Sequence, residues 1–213
     1  MLNFRFAKDY LLHRLKGKTR HGTHSPFVYR LVDEVIYDFS PKKVYHHVEH
    51  LRRDLLSDKR LTAKRALNPP KLDQLIYRMV ADLQPENMIE LGTGLGITSA
   101  YLKKAAPDAQ LYTLENSSDA LPDVIRKVDK IDFVFIDGNN TKEAALRYFE
   151  WCLPKVHENT LFIFDDIYRS EGMKEAWNEI KAHPQVTVTI DLFWIGLVYF
   201  RQGQVKEDFI IKL

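Results

Sequence analysis

The segment Glu90-Leu91-Gly92-Thr93-Gly94-Leu95-Gly96 constrains the fold of this 213-residue chain more than any other stretch. Met88 to Leu91 is an apolar run broken only by Glu90, and Ile97 to Lys104 has helical spacing. The segment therefore reads as a strand that turns through glycines into a helix. So tight a turn needs freedom at positive φ, and the missing Cβ atoms let a ligand lie against bare N–H groups at a helix N-terminus. A nucleotide-like ligand is implied, although glycine turns also close ordinary βα units.

From residue 88 onward, short apolar runs alternate with amphipathic segments. Strands are expected at Met88–Leu91, Gln110–Leu114, Phe133–Ile136, Thr160–Phe164, Val186–Asp191 and Gly196–Arg201. Helices are expected between them at Thr98–Lys104, Lys142–Cys152 and Met173–Ala182. Such alternation predicts an α/β fold, a Rossmann-like, doubly wound and mostly parallel sheet with helices on both faces. The last two strands are too close in sequence for a crossover, so they should form an antiparallel C-terminal hairpin.

Ahead of this lies a helical extension. Phe4, Leu11, Leu12 and Leu15 among Arg5, Lys8 and Arg14 suit a basic amphipathic helix. Arg20-His21-Gly22-Thr23-His24-Ser25-Pro26 reads as a loop leading into a helix over Phe27–Tyr37, and Pro41 opens another. Asn68-Pro69-Pro70 is a hard stop. The division expected is residues 1–69 as an N-terminal helical extension or cap and 70–213 as the ligand-binding domain.

Composition narrows the class. Hydrophobic residues at 45% and charged residues at 28% are ordinary for a soluble globular chain, and no apolar run approaches the roughly 18 residues that span a bilayer. A single cysteine, Cys152, excludes an internal disulfide and a multi-cysteine metal site, and it fits a reducing, cytoplasmic setting. Residues 1–80 carry 17 Lys and Arg against 8 Asp and Glu, whereas residues 81–213 carry 14 against 21. The basic half suits an anionic partner such as RNA, a membrane surface or an acidic subunit; the plainer reading is a solvated helical surface.

Acidic residues recur at or near the C-terminal ends of four expected strands: Glu90, Glu115, Asp137 and the pair Asp165-Asp166. In a parallel sheet those ends share one edge, where open α/β folds bind ligands. Glu115 follows Gly96 by 19 residues, a spacing at which a carboxylate can accept hydrogen bonds from ribose hydroxyls. Asp-Gly and Asp-Asp pairs also form turns, but four such tips together favour a binding cleft.

These stretches, with Ile131-Asp132-Phe133-Val134-Phe135-Ile136-Asp137-Gly138 and Leu161-Phe162-Ile163-Phe164-Asp165-Asp166, resemble the successive motifs of class I S-adenosylmethionine-dependent methyltransferases. The resemblance spans about residues 70–201 and is strongest to the subgroup similar to catechol and caffeoyl-CoA O-methyltransferases. It implies a seven-stranded sheet, S-adenosylmethionine as cofactor and O-methylation of a small-molecule acceptor. It implies further that Glu90, Gly92, Thr93, Gly94 and Gly96 line the cofactor, that Glu115 holds its ribose, and that Asp137 faces the reacting end.

Two departures stand out. Only 16 residues separate Glu115 from Asp132, room for one helix at Leu121–Val128 where the family has helix, strand and helix. Either an edge strand and part of the adenine pocket have been lost, or further residues belong there; the second is favoured, since losing that module would uncover a sheet edge and the cofactor's base. The stretch Arg60–Lys64 also reads as shortened. Metal-dependent relatives hold a divalent ion through positions matching Asp137, Asp165 and Asp166, which makes Mg²⁺ or a similar ion a second candidate cofactor. However, their catalytic lysine is replaced by Asn140.

A hydroxyl acceptor must lose a proton, and Asp137 and Asp165 are the nearest candidates; His24, with His21, is an alternative if its loop folds over the cleft. His46 and His50 stand at i, i+4 spacing but lack a third ligand nearby. Trp194, in the link between the last two strands, is placed to touch an aromatic acceptor. Two other readings compete: a nicotinamide-dependent oxidoreductase, whose G-x-G-x-x-G fingerprint is absent, and a non-catalytic RNA- or partner-binding protein on a methyltransferase scaffold. Nucleic acid is not favoured, since no aromatic-rich recognition motif occurs. A homo-oligomer is compatible with the sequence.

Overall fold

A computed structural model of the chain describes residues 4–57, 67–115, 119–137 and 141–213, apart from the side chain of His21. Gly138, Asn140 and Arg60–Lys64 lie outside them. The helices are α1 (Phe4–Lys16), α2 (Pro26–Arg30), α3 (Lys43–Ser57), α4 (Pro70–Leu83), α5 (Ile97–Ala105), α6 (Leu121–Lys127), α7 (Lys142–Cys152) and α8 (Glu171–Ala182). A π-helical stretch, Leu31–Ile36, continues α2. The strands are β1 (Asn87–Leu91), β2 (Gln110–Leu114), β3 (Phe133–Ile136), β4 (Leu161–Asp165), β5 (Val188–Asp191), β6 (Ile195–Tyr199) and β7 (Glu207–Ile210).

They form one sheet in the order β2-β1-β3-β4-β6-β5-β7. Only β6 among them runs against its neighbours, so β5 and β6 make the expected antiparallel hairpin. Alternation along each strand divides its side chains between two cores. Phe133 and Phe135 of β3 face one core, and Val134 and Ile136 face the other. Being buried on both sides is what makes β3 and β4 continuous apolar runs.

The first core is closed by α4, α5 and the 26–36 segment. Val28, Leu31, Val32, Val35 and Ile36 pack there with Leu75, Ile76 and Met79 of α4. Arg78 fastens them, its Nε donating to the Val35 carbonyl at 2.8 Å and Nη2 to that of Ile36 at 3.2 Å. These are the C-terminal carbonyls that the helix leaves unsatisfied. The second core is closed by α6, α7 and α8, and contains the fully buried Cys152. Thr141 and Ser170 cap α7 and α8 through bonds from Ala144 N (3.3 Å) and Met173 N (3.0 Å). At Gly196 a Cβ would fall 2.7 Å from the Trp177 indole, so β6 reaches α8 only because that position is bare.

The N-terminal segment wraps the sheet. Its first helix, α1, lies over the C-terminal edge, where Arg5 bonds Glu171 at 2.9 Å and the Arg169 carbonyl at 3.0 Å. The chain then bridges from Lys18 to Ile211 and descends the β7 edge to the opposite end, where Gln204 Nε2 donates to Ser25 Oγ at 3.0 Å. The sequence reading did not foresee β7. Parallel to β5, it is the seventh strand and lies beyond the hairpin. At the other edge β2 is outermost, and it connects to β3 through α6 with only residues 116–118 undescribed. The helix-strand-helix module expected there has no room in that connection. Among the described residues no helix is long and apolar enough to cross a membrane.

Candidate active site

The glycine turn leaves β1 and enters α5 with three residues at positive φ: Gly92 (93°), Gly94 (50°) and Gly96 (76°). L-side chains avoid this region, which explains the glycines. At Gly94 and Gly96 an added Cβ would meet nothing within 4 Å, so open space lies above the turn at the N-terminus of α5. Thr93 is half-buried between them.

Strand register brings the acidic tips together. Leu91 pairs with Leu114 and with Ile136, so Gly92 lies between Glu115 on one side and Asp137 on the other. Two bonds fix this: Gly92 N to the Leu114 carbonyl and Asp137 N to the Leu91 carbonyl, both 2.8 Å. Glu115 is exposed at the β2 edge. Glu90, one pleat below the turn, is fully buried; Ser99 Oγ donates to its Oε2 at 2.5 Å, while Oε1 has no partner among the described residues. Burial pushes its carboxyl up to about 7 against the Ser99 bond, with nearby Asp137, Asp73 and Glu115 adding to the rise. An unpartnered buried oxygen beneath an open glycine cradle suits a cationic group of a ligand.

Asp73 and Ser99 were not singled out from sequence. Asp73, fully buried on α4, accepts from Thr98 Oγ1 at 3.0 Å and is held by Arg52, so it anchors the first turn of α5. Burial raises its carboxyl despite that arginine. An acidic residue on the apolar face of α4 and two hydroxyls just after the glycines were the available signals.

On the other side, Ile136 pairs with Phe164, so Asp137 stands beside Asp165. Both carboxyls are raised: Asp137 to about 7, by burial and then by Asp166, and Asp165 well above its ordinary value, by burial and then by Asp137. Adjacent buried carboxyls share a proton because both cannot ionise together. Asp166, at φ 51°, pairs with Arg169 at 2.6 Å. Among the described residues no group of three His, Cys, Asp or Glu side chains is placed to hold a metal ion. No chemical step is assigned to a metal ion.

The expected role of His24 needs correction. It is exposed beside Glu207–Ile210 on the β7 edge, because the Arg20–Pro26 loop runs down that edge instead of over the cleft. The element that reaches the C-terminal edge is α1. Its His13 is buried, with Nε2 3.1 Å from Asp191 Oδ1; Tyr168 Oη and Phe193 N donate to the same carboxylate at 2.7 and 2.9 Å. Burial opposes ionisation of Asp191, but the His13, Tyr168 and Phe193 bonds together hold its carboxyl below the usual range. Around this knot Phe6 and Tyr10 pack edge-on to Phe193 at 5.0 and 4.9 Å, and Phe6 also meets Trp194 at 5.7 Å. Asp166 N donates to the Trp194 carbonyl at 2.7 Å, which joins the aromatic wall to the acidic tips. Trp194 remains 40% exposed. His50 pairs with Asp54 at 2.9 Å on an exposed face of α3, and among the described residues no third ligand completes a metal-holding group with them.

Comparison with known proteins agrees with this geometry. The profile of a methyltransferase domain family matches residues 109–167, from the start of β2 to just past Asp165-Asp166. No curated protein matches the chain. Among solved structures, the methyltransferase PaMTH1 of Podospora anserina, bound to S-adenosylhomocysteine, superposes with a TM-score of 0.61 at 11% identity over 84% of this chain and 97% of that one. An O-methyltransferase of Bacillus cereus with the same ligand gives 0.54 at 17% identity, over 81% and 96%. TomG, an S-adenosylmethionine-bound O-methyltransferase from Streptomyces achromogenes, gives 0.56 at 15%, over 79% and 94%. By strand order, glycine turn and these superpositions, the chain has the Rossmann-like fold of these methyltransferase structures, and its residues 109–167 are similar to a methyltransferase domain family.

Proposed function

We propose that this protein transfers a methyl group from S-adenosylmethionine to an oxygen atom of a small acceptor in the cytoplasm. The observation that carries this reading is the glycine cradle, flanked by Glu115 and Asp137 and underlain by the unpartnered Oε1 of Glu90. The backbone of Gly92–Gly96 and the N-terminus of α5 would receive the donor's carboxylate. Glu90 would receive its ammonium group, and Glu115 its ribose hydroxyls. When bound, the donor supplies an electrophilic methyl group on a sulfonium.

The remaining work is positioning and proton removal. Phe6 and Trp194, backed by the buried Phe193, form a wall against which an aromatic acceptor would stack, near the Asp137–Asp165 pair. The acceptor oxygen would take the methyl group that the donor supplies, and Asp137 would take the hydroxyl proton. A carboxyl near 7 is well matched to that transfer at neutral pH. The test is transfer of isotope-labelled methyl groups to a panel of phenols and catechols. Asp137→Asn should lower kcat by about 10²–10⁴ with little change in donor affinity. Full turnover in that variant would remove Asp137 as the base, and no transfer to any hydroxyl acceptor would remove O-methylation.

A further inference from the structure

The first helix, α1, sits on the domain with its apolar side outward. At 3.6 residues per turn Phe4, Leu11 and Leu15 fall within about 40° of one another, and they are 85%, 59% and 71% exposed. The opposite side carries Asp9 and His13, and it is this polar side that is buried: Asp9 accepts from Lys174 at 2.8 Å, and His13 Nε2 lies 3.1 Å from Asp191 Oδ1. Arg5, beside them, holds Glu171 at 2.9 Å. A surface helix of a globular protein ordinarily turns its apolar stripe to the core. Here polar contacts hold the helix, and the stripe faces outward, as at sites that meet another surface.

The charges around the stripe identify that surface. Lys8 stands inside it, one turn after Phe4, and Arg14 and Lys16 flank it on either side. Asp9 is the helix's sole acid and is already bonded to Lys174, so the outward face of α1 presents cations and no anion. Arg14 also donates to the Leu213 carbonyl at 3.0 Å, and Lys16 shares a hollow on the β7 edge with Glu207 and Asp208. Apolar side chains interspersed with Lys and Arg suit the boundary between headgroups and acyl chains of an acidic bilayer. A second copy of the chain suits the stripe less. Two α1 helices meeting across a two-fold axis would set cations against cations, and a stable protein interface takes about 20–30 residues a side, more than the 13 of α1.

We propose that α1 is a peripheral membrane-binding element that lies on the surface of a bilayer containing acidic phospholipids. Its 13 residues make a helix about 20 Å long, too short to cross a hydrocarbon core of roughly 30 Å, so it lies in the plane of the surface. Phe4, Leu11 and Leu15 would enter the acyl boundary, and Lys8, Arg14 and Lys16 would meet lipid phosphates. The inner side keeps its bonds to Lys174, Glu171 and Asp191, so docking requires no rearrangement of the domain. Nor does it require a bound methyl donor.

The test is flotation of the intact protein with vesicles of phosphatidylcholine alone and of phosphatidylcholine and phosphatidylserine in equal parts, at low and high salt. The acidic vesicles should bind it about tenfold or more tighter than the neutral ones, and high salt should remove most of that difference. The double variant Leu11→Gln, Leu15→Gln should bind the acidic vesicles about tenfold or more weaker with its urea midpoint unchanged, because both side chains are exposed. Lys8→Gln combined with Arg14→Gln should weaken binding by a similar factor of about tenfold. The proposal is overturned if the acidic vesicles bind no protein, if neutral vesicles bind it equally well, or if both double variants bind like the parent. A dimer that Leu11→Gln, Leu15→Gln dissociates, in a protein indifferent to vesicles, would overturn it in favour of a second copy.

Discussion

At the scale of single residues, Glu90 is where sequence, burial and chemistry meet most directly. A carboxyl inside β1 is expensive, and the chain keeps it there with one Ser99 bond and an oxygen that has no partner among the described residues. Its value of about 7 has a definite consequence for binding. Without ligand, Glu90 is mostly protonated below that value, whereas a cationic ligand group needs it ionised, so binding should expel a proton. From pH 8 to pH 6 the ionised fraction falls about tenfold, and S-adenosylmethionine affinity should fall by a similar factor. Calorimetry at several pH values, in buffers of differing ionisation enthalpy, reads both effects. Glu90→Gln should flatten the profile and abolish the proton release; a profile as steep as the parent's would move the titrating group elsewhere. Because its folded-state value is raised, Glu90 also costs stability progressively as pH rises from the ordinary carboxyl range through 7. Glu90, Glu115 and Asp137 were legible because strand ends and glycines have local signatures. Asp73 and Ser99 were not, since their meaning depends on α4 and α5 being packed together.

At the scale of elements, the strands and helices after residue 88 followed from periodicity, because each is defined by its own alternation or its 3.6-residue repeat. The elements that escaped are those whose place is set by distant partners. β7, Glu207-Asp208-Phe209-Ile210, has little apolar alternation and exists because β5 offers it an edge. Likewise α1 reads correctly as a basic amphipathic helix, but nothing in its sequence says that His13 would meet Asp191, 178 residues away. That contact fixes the helix. Asp191→Asn should destabilise the protein by about 1.5–3 kcal/mol in urea unfolding at neutral pH, as hydrogen bonds to a buried charge are lost. Since the Asp191 carboxyl is held below its ordinary range, its contribution is fully present above the unfolded value near 3.9 and is lost as pH falls through the folded one. The difference between parent and variant should therefore shrink in acid. A constant difference down to pH 2 would mean that the charge of Asp191 does not hold α1.

At the scale of the whole molecule, two edges of one sheet have been treated differently. The β7 edge is covered by the N-terminal segment descending from α1 to α2, whereas at the β2 edge a single short helix replaces the larger module that the sequence resemblance led one to expect. Spacing revealed the shortage after Glu115, but not that the chain would close through α6 with Leu121, Val124 and Ile125 in the second core. It also left open whether the histidine-bearing loop folds over the cleft, because the route of the N-terminal segment depends on pairing with the last strand. What survives at every scale is a glycine cradle between Glu115 and Asp137, and the central claim is that it binds S-adenosylmethionine. The most direct measurement is a calorimetric titration of the intact protein and of Glu115→Ala with S-adenosylmethionine and, separately, NADH. The account predicts saturable binding of S-adenosylmethionine and not of NADH, weakened about 10- to 150-fold by Glu115→Ala as charge-assisted bonds worth about 1.5–3 kcal/mol disappear. Binding of NADH alone, or S-adenosylmethionine affinity indifferent to Glu115, would contradict it.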